Sequence, residues 1–218
     1  MSLQQLLDDL DKSLPQAPFA RANGSLLMMV GLPGTGKSSI VESLHKLLPH
    51  VVISTDGMRA QLRERPSYTS AEMMLVYEVC YHLIERRLRR GQRIVFDASN
   101  YLAARRERVT RLAERNGAPV TVCYVQAAQD IIQQRLQDRN SGKRRATDMS
   151  EADWSVYKWM VESQEPVVVP HVVLDTSTTP PDELAIILQK YWLKTEKRAE
   201  SNPDFQSTRW ASKLGRRS

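Results

Sequence analysis

Residues 31–38 read Gly31-Leu32-Pro33-Gly34-Thr35-Gly36-Lys37-Ser38, and an apolar run from Ser25 to Val30 leads into them. A glycine-rich loop between a buried strand and a helix is suited to holding a polyphosphate. Glycines let backbone N–H groups approach an anion without side-chain clash, and a helix starting near Lys37 adds the positive end of its dipole. The spacing is the phosphate-binding pattern G-x-x-x-x-G-K-[ST], in its strand-before, helix-after context. It assigns Gly31, Gly34, Thr35, Gly36, Lys37, Ser38 and Ser39 to a nucleotide. Lys37 is expected to reach the β- and γ-phosphates, and the Ser38 hydroxyl to face Mg²⁺.

Outward from this loop, apolar strand patterns alternate with helical ones. Strands are expected at Ser25–Val30, Val51–Ser54, Ile94–Phe96, Val120–Val125 and Val172–Leu174. Several are continuous apolar runs, as in a parallel sheet covered on both faces. Helices are expected from 2 to 14, Lys37 to Leu48, Ala71 to Arg90, Ala103 to Asn116, Ala128 to Arg139, Glu151 to Ser163 with Ser150 as N-cap, and Pro181 to Leu193. On the long helix, Met73, Met74, Tyr77, Cys80, Leu83, Ile84 and Leu88 form the apolar stripe. The fold class is therefore a three-layer α/β P-loop nucleotide-binding fold with a five-stranded, mainly parallel sheet and a small helical lid. The chain divides into an N-terminal helix and linker (1–20), the main domain (21–193) and a basic, flexible tail (194–218).

Composition narrows the class further. The net charge of +6 is concentrated in that tail, where seven basic residues face three acids, so the body is only mildly basic. A basic tail suits contact with nucleic acid and also serves as an ordinary solubilising end. No apolar run approaches a membrane span. Asp8, Asp9 and Asp11 in the first helix are unlike a secretory leader. Cys80 and Cys123 read as two buried thiols of a cytoplasmic protein.

Asp97 ends the third strand, at the sheet edge where open α/β folds bind ligands. It is the expected partner of Ser38 and Mg²⁺, or else a turn or N-cap residue. Nucleotide binding leaves a GTPase switch, a motor ATPase or a phosphotransferase. The sequence has no N-K-x-D base-recognition motif, and Ala98 stands where motor ATPases place a water-activating Glu. That combination favours an acceptor other than water. Asp56, after the second strand, suits the proton acceptor for an attacking hydroxyl, with Arg59 one helical turn on to grip an anionic group. An N-cap Asp in a surface ion pair has the same spacing. Arg135 and Arg139 share one helix face before Lys143, Arg144 and Arg145, either as mobile cations for the transferring phosphate or as a solvated basic face.

The order of these pieces, P-loop, Asp56-x-x-Arg59, Asp97-Ala-Ser-Asn100 and Arg135-x-x-x-Arg139, resembles the kinase domain of phage-type polynucleotide 5′-hydroxyl kinases and their wider P-loop kinase relatives. The resemblance covers roughly residues 25–175. It implies ATP as donor and Mg²⁺ as cofactor, and Asp56 as the general base. It likewise implies Arg59 as acceptor-phosphate ligand, Arg139 as lid arginine on the donor phosphates and Arg135 against adenine. The acceptor it implies is a 5′-hydroxyl polynucleotide end. A small-molecule hydroxyl (sugar, antibiotic or other metabolite) is the alternative, and a non-catalytic ATP-binding regulatory module a further one. Tyr68, Tyr101, Trp154 and Trp159 are the aromatics able to stack on a base or sugar or to serve as ordinary packing.

Overall fold

Strand β1 (Ser25–Val30) is buried along its whole length. Successive side chains point to opposite faces of a sheet. Leu26, Met28 and Val30 accordingly enter one core, and Leu27 and Met29 the other. The computed structural model that shows this describes residues 2–62, 69–141, 150 and 152–201. Tyr68, the basic residues Lys143, Arg144 and Arg145, and 202–218 of the tail lie outside the described residues.

Strands β2 (Val51–Ser54), β3 (Arg93–Asp97), β4 (Val120–Gln126) and β5 (Val172–Asp175) complete a sheet of order β2-β3-β1-β4-β5. Every pairing is parallel, and the register sets Ser54 beside Asp97. Parallel strands place all their C-terminal ends on one edge, so the segments after β1, β2, β3 and β5 meet there. Helices α1 (Leu3–Ser13), α4 (Ser70–Arg89) and α5 (Ala103–Arg115) pack on the first face. Helices α2 (Lys37–Leu47) and α8 (Pro181–Ser201) pack on the second. A smaller core joins α6 (Gln129–Asn140) and α7 (Trp154–Ser163) to Leu32 and Tyr101, forming the helical cover over the loop edge. Helix α3 (Thr55–Leu62) follows β2 without a break.

Three sequence expectations change. Helix α8 continues past Leu193 to Ser201 because its later turns are anchored. Trp192 Nε1 donates to Ser25 Oγ (2.7 Å), and Arg93 forks onto both oxygens of the buried Glu196 (2.9 and 2.8 Å). Helix α7 begins at Trp154, not near Glu151, and its N-cap is Asp153 instead of Ser150. The Asp153 carboxylate accepts from the N–H groups of Ser155 (2.9 Å) and Val156 (3.0 Å), which a serine three residues earlier cannot reach. On α4, Met74 is 66% exposed, whereas Tyr77, Cys80, Leu83, Ile84 and Leu88 are buried as expected and are joined by Val76, Val79 and Tyr81.

Helix α1 is fastened by a buried ion pair. Arg87 has no exposed surface. It donates from Nε to Asp11 Oδ1 (2.6 Å), from NH2 to the Asp11 carbonyl, and from NH1 to Pro15 O (3.3 Å). Arg90 reaches the other Asp11 oxygen at 2.7 Å.

His50 is a second buried polar group, and it makes stability pH-dependent. Its Nδ1 lies 2.7 Å from the Leu48 carbonyl, and Nε2 is buried with no hydrogen-bond partner among the described residues. Burial pushes the imidazole from 6.5 down to about 4; the Leu48 bond opposes this, and nearby His45 and Arg93 add to it. Well above pH 6.5 the ring is neutral folded or unfolded, so it costs nothing. Below that the unfolded chain takes up a proton that the native state refuses. Stability therefore falls as pH drops from 6.5 towards about 4, by roughly 3 kcal/mol. Urea unfolding of wild type and His50→Asn at about pH 7 and about pH 4.5 checks this; the variant is expected to lose less stability over the window.

Candidate functional site

The loop after β1 takes the shape its glycines permit. Gly34 and Gly36 have φ of 81° and 87°, in the left-handed region. A Cβ on Gly34 would approach Ile132 Cγ2 to 2.9 Å, so the close packing of loop against α6 also needs glycine there. Gly31 is held from β3's side, its N–H donating to Ser99 O at 2.9 Å. Thr35 is buried, its hydroxyl donating to Leu32 O (2.8 Å), and Lys37 Nζ donates to the same carbonyl (3.0 Å). Helix α2 begins at Lys37, so its first-turn N–H groups face the loop.

Loop, strand ends and cover enclose one cleft of about 470 Å³. Gly34, Gly36, Lys37, Ser38, Ser39, Arg135 and Arg139 line it together with Asp56, Arg59, Asp97, Met73 and Tyr77. Gly31 and Thr35 shape the loop from beneath. Among the described residues, Lys37, Ser38, Ser39, Asp56, Arg59, Asp97, Arg135 and Arg139 thus share one cleft.

Ser38 Oγ donates to Asp97 Oδ2 at 2.8 Å, the juxtaposition expected of a hydroxyl and a carboxylate that share a divalent cation. Among the described residues no group of three or more His, Cys, Asp or Glu forms a metal cage. The Ser38–Asp97 pair matches the sparse protein contribution usual where substrate phosphates supply further Mg²⁺ ligands.

Asp56 and Arg59 lie on the first turns of α3. The Asp56 side chain is 32% exposed and accepts from Arg59 NH1 at 2.5 Å. Arg59 is nearly fully buried, so this is not a surface pair. Its Nε donates to Glu72 Oε1 at 3.0 Å and its NH2 to Met73 Sδ at 3.0 Å. Arg135 braces the loop from α6: NH1 donates to Gly34 O (3.2 Å) and Thr176 Oγ1 (2.8 Å), and NH2 to Thr176 O (2.8 Å). Thr176 Oγ1 in turn donates to Thr35 O at 2.8 Å. Arg139 NH1 donates to Ala152 O (3.2 Å) beneath the start of α7.

Sequence reasoning missed Glu72, Tyr77 and Thr176 as members of the site. Glu72 carried a signal, since it is the one acid on the buried stripe of α4, four residues before Val76. Thr176 directly follows β5 at the productive edge. Asn100, noticed within its motif, is wholly buried at φ 46° and donates from Nδ2 to Met29 O (2.7 Å), tying the end of β3 to β1. Tyr101 is buried, with Trp159 edge-on at 6.0 Å, and Trp154 stacks on Tyr157 at 4.8 Å. Cys80 and Cys123 are buried free thiols that burial pushes up. Among the described residues no helix is long and apolar enough to cross a membrane.

A phosphate loop on the central strand of a parallel sheet, with a carboxylate ending the adjacent strand, defines an α/β P-loop protein of the kinase-like type. The chain belongs to the AAA domain family, whose sequence pattern matches residues 26–166. Its fold is similar to that of Mycobacterium tuberculosis APS kinase CysC in complex with AMPPNP and APS (19% identity, 77% of this chain, 96% of that one, TM-score 0.58). It is also similar to a gluconokinase from Sinorhizobium meliloti 1021 (18% identity, 86% and 99% covered, TM-score 0.57). A third likeness is to Chaetomium thermophilum Kti12 in complex with ADP-AlF3 (17% identity, 77% and 99% covered, TM-score 0.59).

Proposed function

We propose that this protein transfers the γ-phosphate of ATP to a hydroxyl group, with Asp56 as general base. The observation that carries this reading is the placement of Asp56 in the same cleft as Lys37, Ser38 and Asp97. In-line transfer needs donor phosphates on one side of the transferring group and an oriented hydroxyl on the other. Asp56 accepts the hydroxyl proton, and Lys37 and Arg139 lie on the donor side, where negative charge spreads over the equatorial oxygens. Ser38 and Asp97 would hold Mg²⁺, which when bound neutralises phosphate charge. Arg135 holds the Gly34 carbonyl against its guanidinium, and Thr176 holds that of Thr35, leaving loop N–H groups for phosphate. Lys37→Ala is expected to lower the transfer rate ~10²–10³-fold, read with labelled ATP under saturating acceptor.

For the acceptor, a small hydroxyl compound is the better-supported class. Among the described residues, Arg59, the cation beside Asp56, faces two carboxylates, Asp56 and Glu72. Met73, Tyr77, Val156 and Met160 give the cleft apolar wall. A polyanionic strand end favours a basic track instead. Two proteins of similar fold, an APS kinase and a gluconokinase, are named for small acceptors. A polynucleotide 5′-hydroxyl end is the second reading, supported by the order of the motifs along the chain.

The test is transfer of labelled γ-phosphate, with Mg²⁺, to a panel of small hydroxyl metabolites and to a short 5′-hydroxyl oligonucleotide, with Asp56→Asn as control. Asp56-dependent label on a small compound supports the first reading. Label on the oligonucleotide alone, with steep salt dependence, replaces it with the second. ATP binding without transfer to any acceptor overturns the phosphotransferase reading and leaves a regulatory module.

A further inference from the structure

Glu72 lies in the first turn of α4, yet its side chain is only 3% exposed. An ionised carboxylate is removed from water at a cost unless a cation and hydrogen bonds compensate. Its backbone N–H is taken by the Thr69 hydroxyl (3.3 Å), and its Oε1 takes Arg59 Nε (3.0 Å). Arg59 is equally buried and spans from Glu72 to Asp56, which it meets through NH1 at 2.5 Å. Carboxylate, guanidinium and carboxylate therefore form one chain running from the interior of α4 to the cleft.

The guanidinium is planar, with its N–H donors in fixed directions. Holding Nε fixes the plane and aims the NH1 and NH2 groups at the cleft side, where Asp56 and Met73 lie. Without that anchor, Arg59 can turn a two-donor edge onto Asp56 as a bidentate pair and take up the lone pairs that a general base needs. We propose that Glu72 is a positioning residue for phosphoryl transfer: it holds Arg59 so that the guanidinium orients the Asp56 carboxylate through one N–H while the other Asp56 oxygen faces the acceptor hydroxyl. This rests on the reading of Asp56 as the base.

Glu72→Gln keeps an amide oxygen for Arg59 Nε but removes the charge. It is expected to lower kcat ~10–100-fold while KM for ATP stays within about threefold, because the donor side of the cleft is untouched. Glu72→Asp, which retains charge at shorter reach, is expected to recover part of the loss. The discriminating measurement is a double-mutant cycle with Arg59→Ala: if Glu72 acts through Arg59, Glu72→Gln costs no further rate in that background. Unchanged kcat in Glu72→Gln overturns the proposal, as do losses that multiply across the cycle, the mark of a purely structural role of the α3–α4 contact. An Asp56→Asn enzyme that turns over normally locates the failure in the base assignment instead. If no acceptor is found, the Arg59 side-chain Nε–H resonance carries the test. Slow solvent exchange in wild type, lost in Glu72→Ala but kept in Asp56→Asn, supports anchoring by Glu72, and fast exchange in wild type overturns it.

Discussion

Asp56→Ala is expected to lower phosphoryl transfer ~10²–10⁴-fold with little change in ATP affinity. The split follows from where the residue sits. Asp56 begins α3 after β2, one strand beyond β3 from the loop strand β1, and makes none of the loop's hydrogen bonds. Its loss removes proton acceptance from the hydroxyl, a contribution made in the transition state, and leaves the donor cradle intact. It also leaves Arg59 with one carboxylate fewer, so Asp56→Asn, which keeps an oxygen for NH1, separates base chemistry from local repacking. Calorimetric titration with ATP and single-turnover transfer, measured on both variants, check the prediction. An Asp56→Ala enzyme with near-normal turnover would remove the general-base role.

The second large effect concerns stability. Arg87→Ala is expected to cost ~3–5 kcal/mol, because it strips the Asp11 carboxylate of its best partner and leaves the Pro15 and Asp11 carbonyls without theirs. Among the described residues, Arg90, half exposed, would still hold Asp11. For a chain of this size the midpoint of thermal unfolding should fall by roughly 6–20 °C. Replacing both partners by apolar residues, Arg87→Met with Asp11→Leu, should recover much of the loss, since no buried charge is then left unpaired. The same pair sets an acid limit. Burial alone would push the Asp11 carboxyl up, but hydrogen bonds and charge from Arg90 and Arg87 outweigh it and hold the group below its ordinary value. Asp11 therefore contributes stability above the ordinary carboxylate range, and that contribution is lost as pH falls through its lowered folded value. Differential scanning calorimetry over an acid series reads both effects.

The sheet and the phosphate loop were legible in the sequence because their signals are local. A continuous apolar run means two covered faces, and glycine spacing means backbone approach to an anion. Asp97 and Asp56 were found because strand ends in a parallel sheet share an edge. What stayed hidden depended on contacts distant in sequence. Glu72 meets Arg59 across an intervening segment, and Thr176 meets Thr35 across most of the chain. Trp192 and Glu196 extend α8 by bonding residues at the starts of β1 and β3, which no helical period can report. Ser150 was a reasonable cap by type, but the geometry of the first turn selected Asp153.

The fastening of α8 has a mechanical consequence. Ser25 and Arg93 are the first residues of β1 and β3, and Trp192 and Glu196 grip them there. The cleft proposed for the chemistry lies at the opposite tips of the same strands. The sheet thus behaves like a row of cantilevers, clamped at the root and loaded at the free end. Damage at the root loosens the whole beam and registers as lost foldedness, whereas changes at the tips alter how the ends meet and register as lost turnover. Durability and chemistry are housed about a strand's length apart, so variation can adjust one while the other stays nearly fixed.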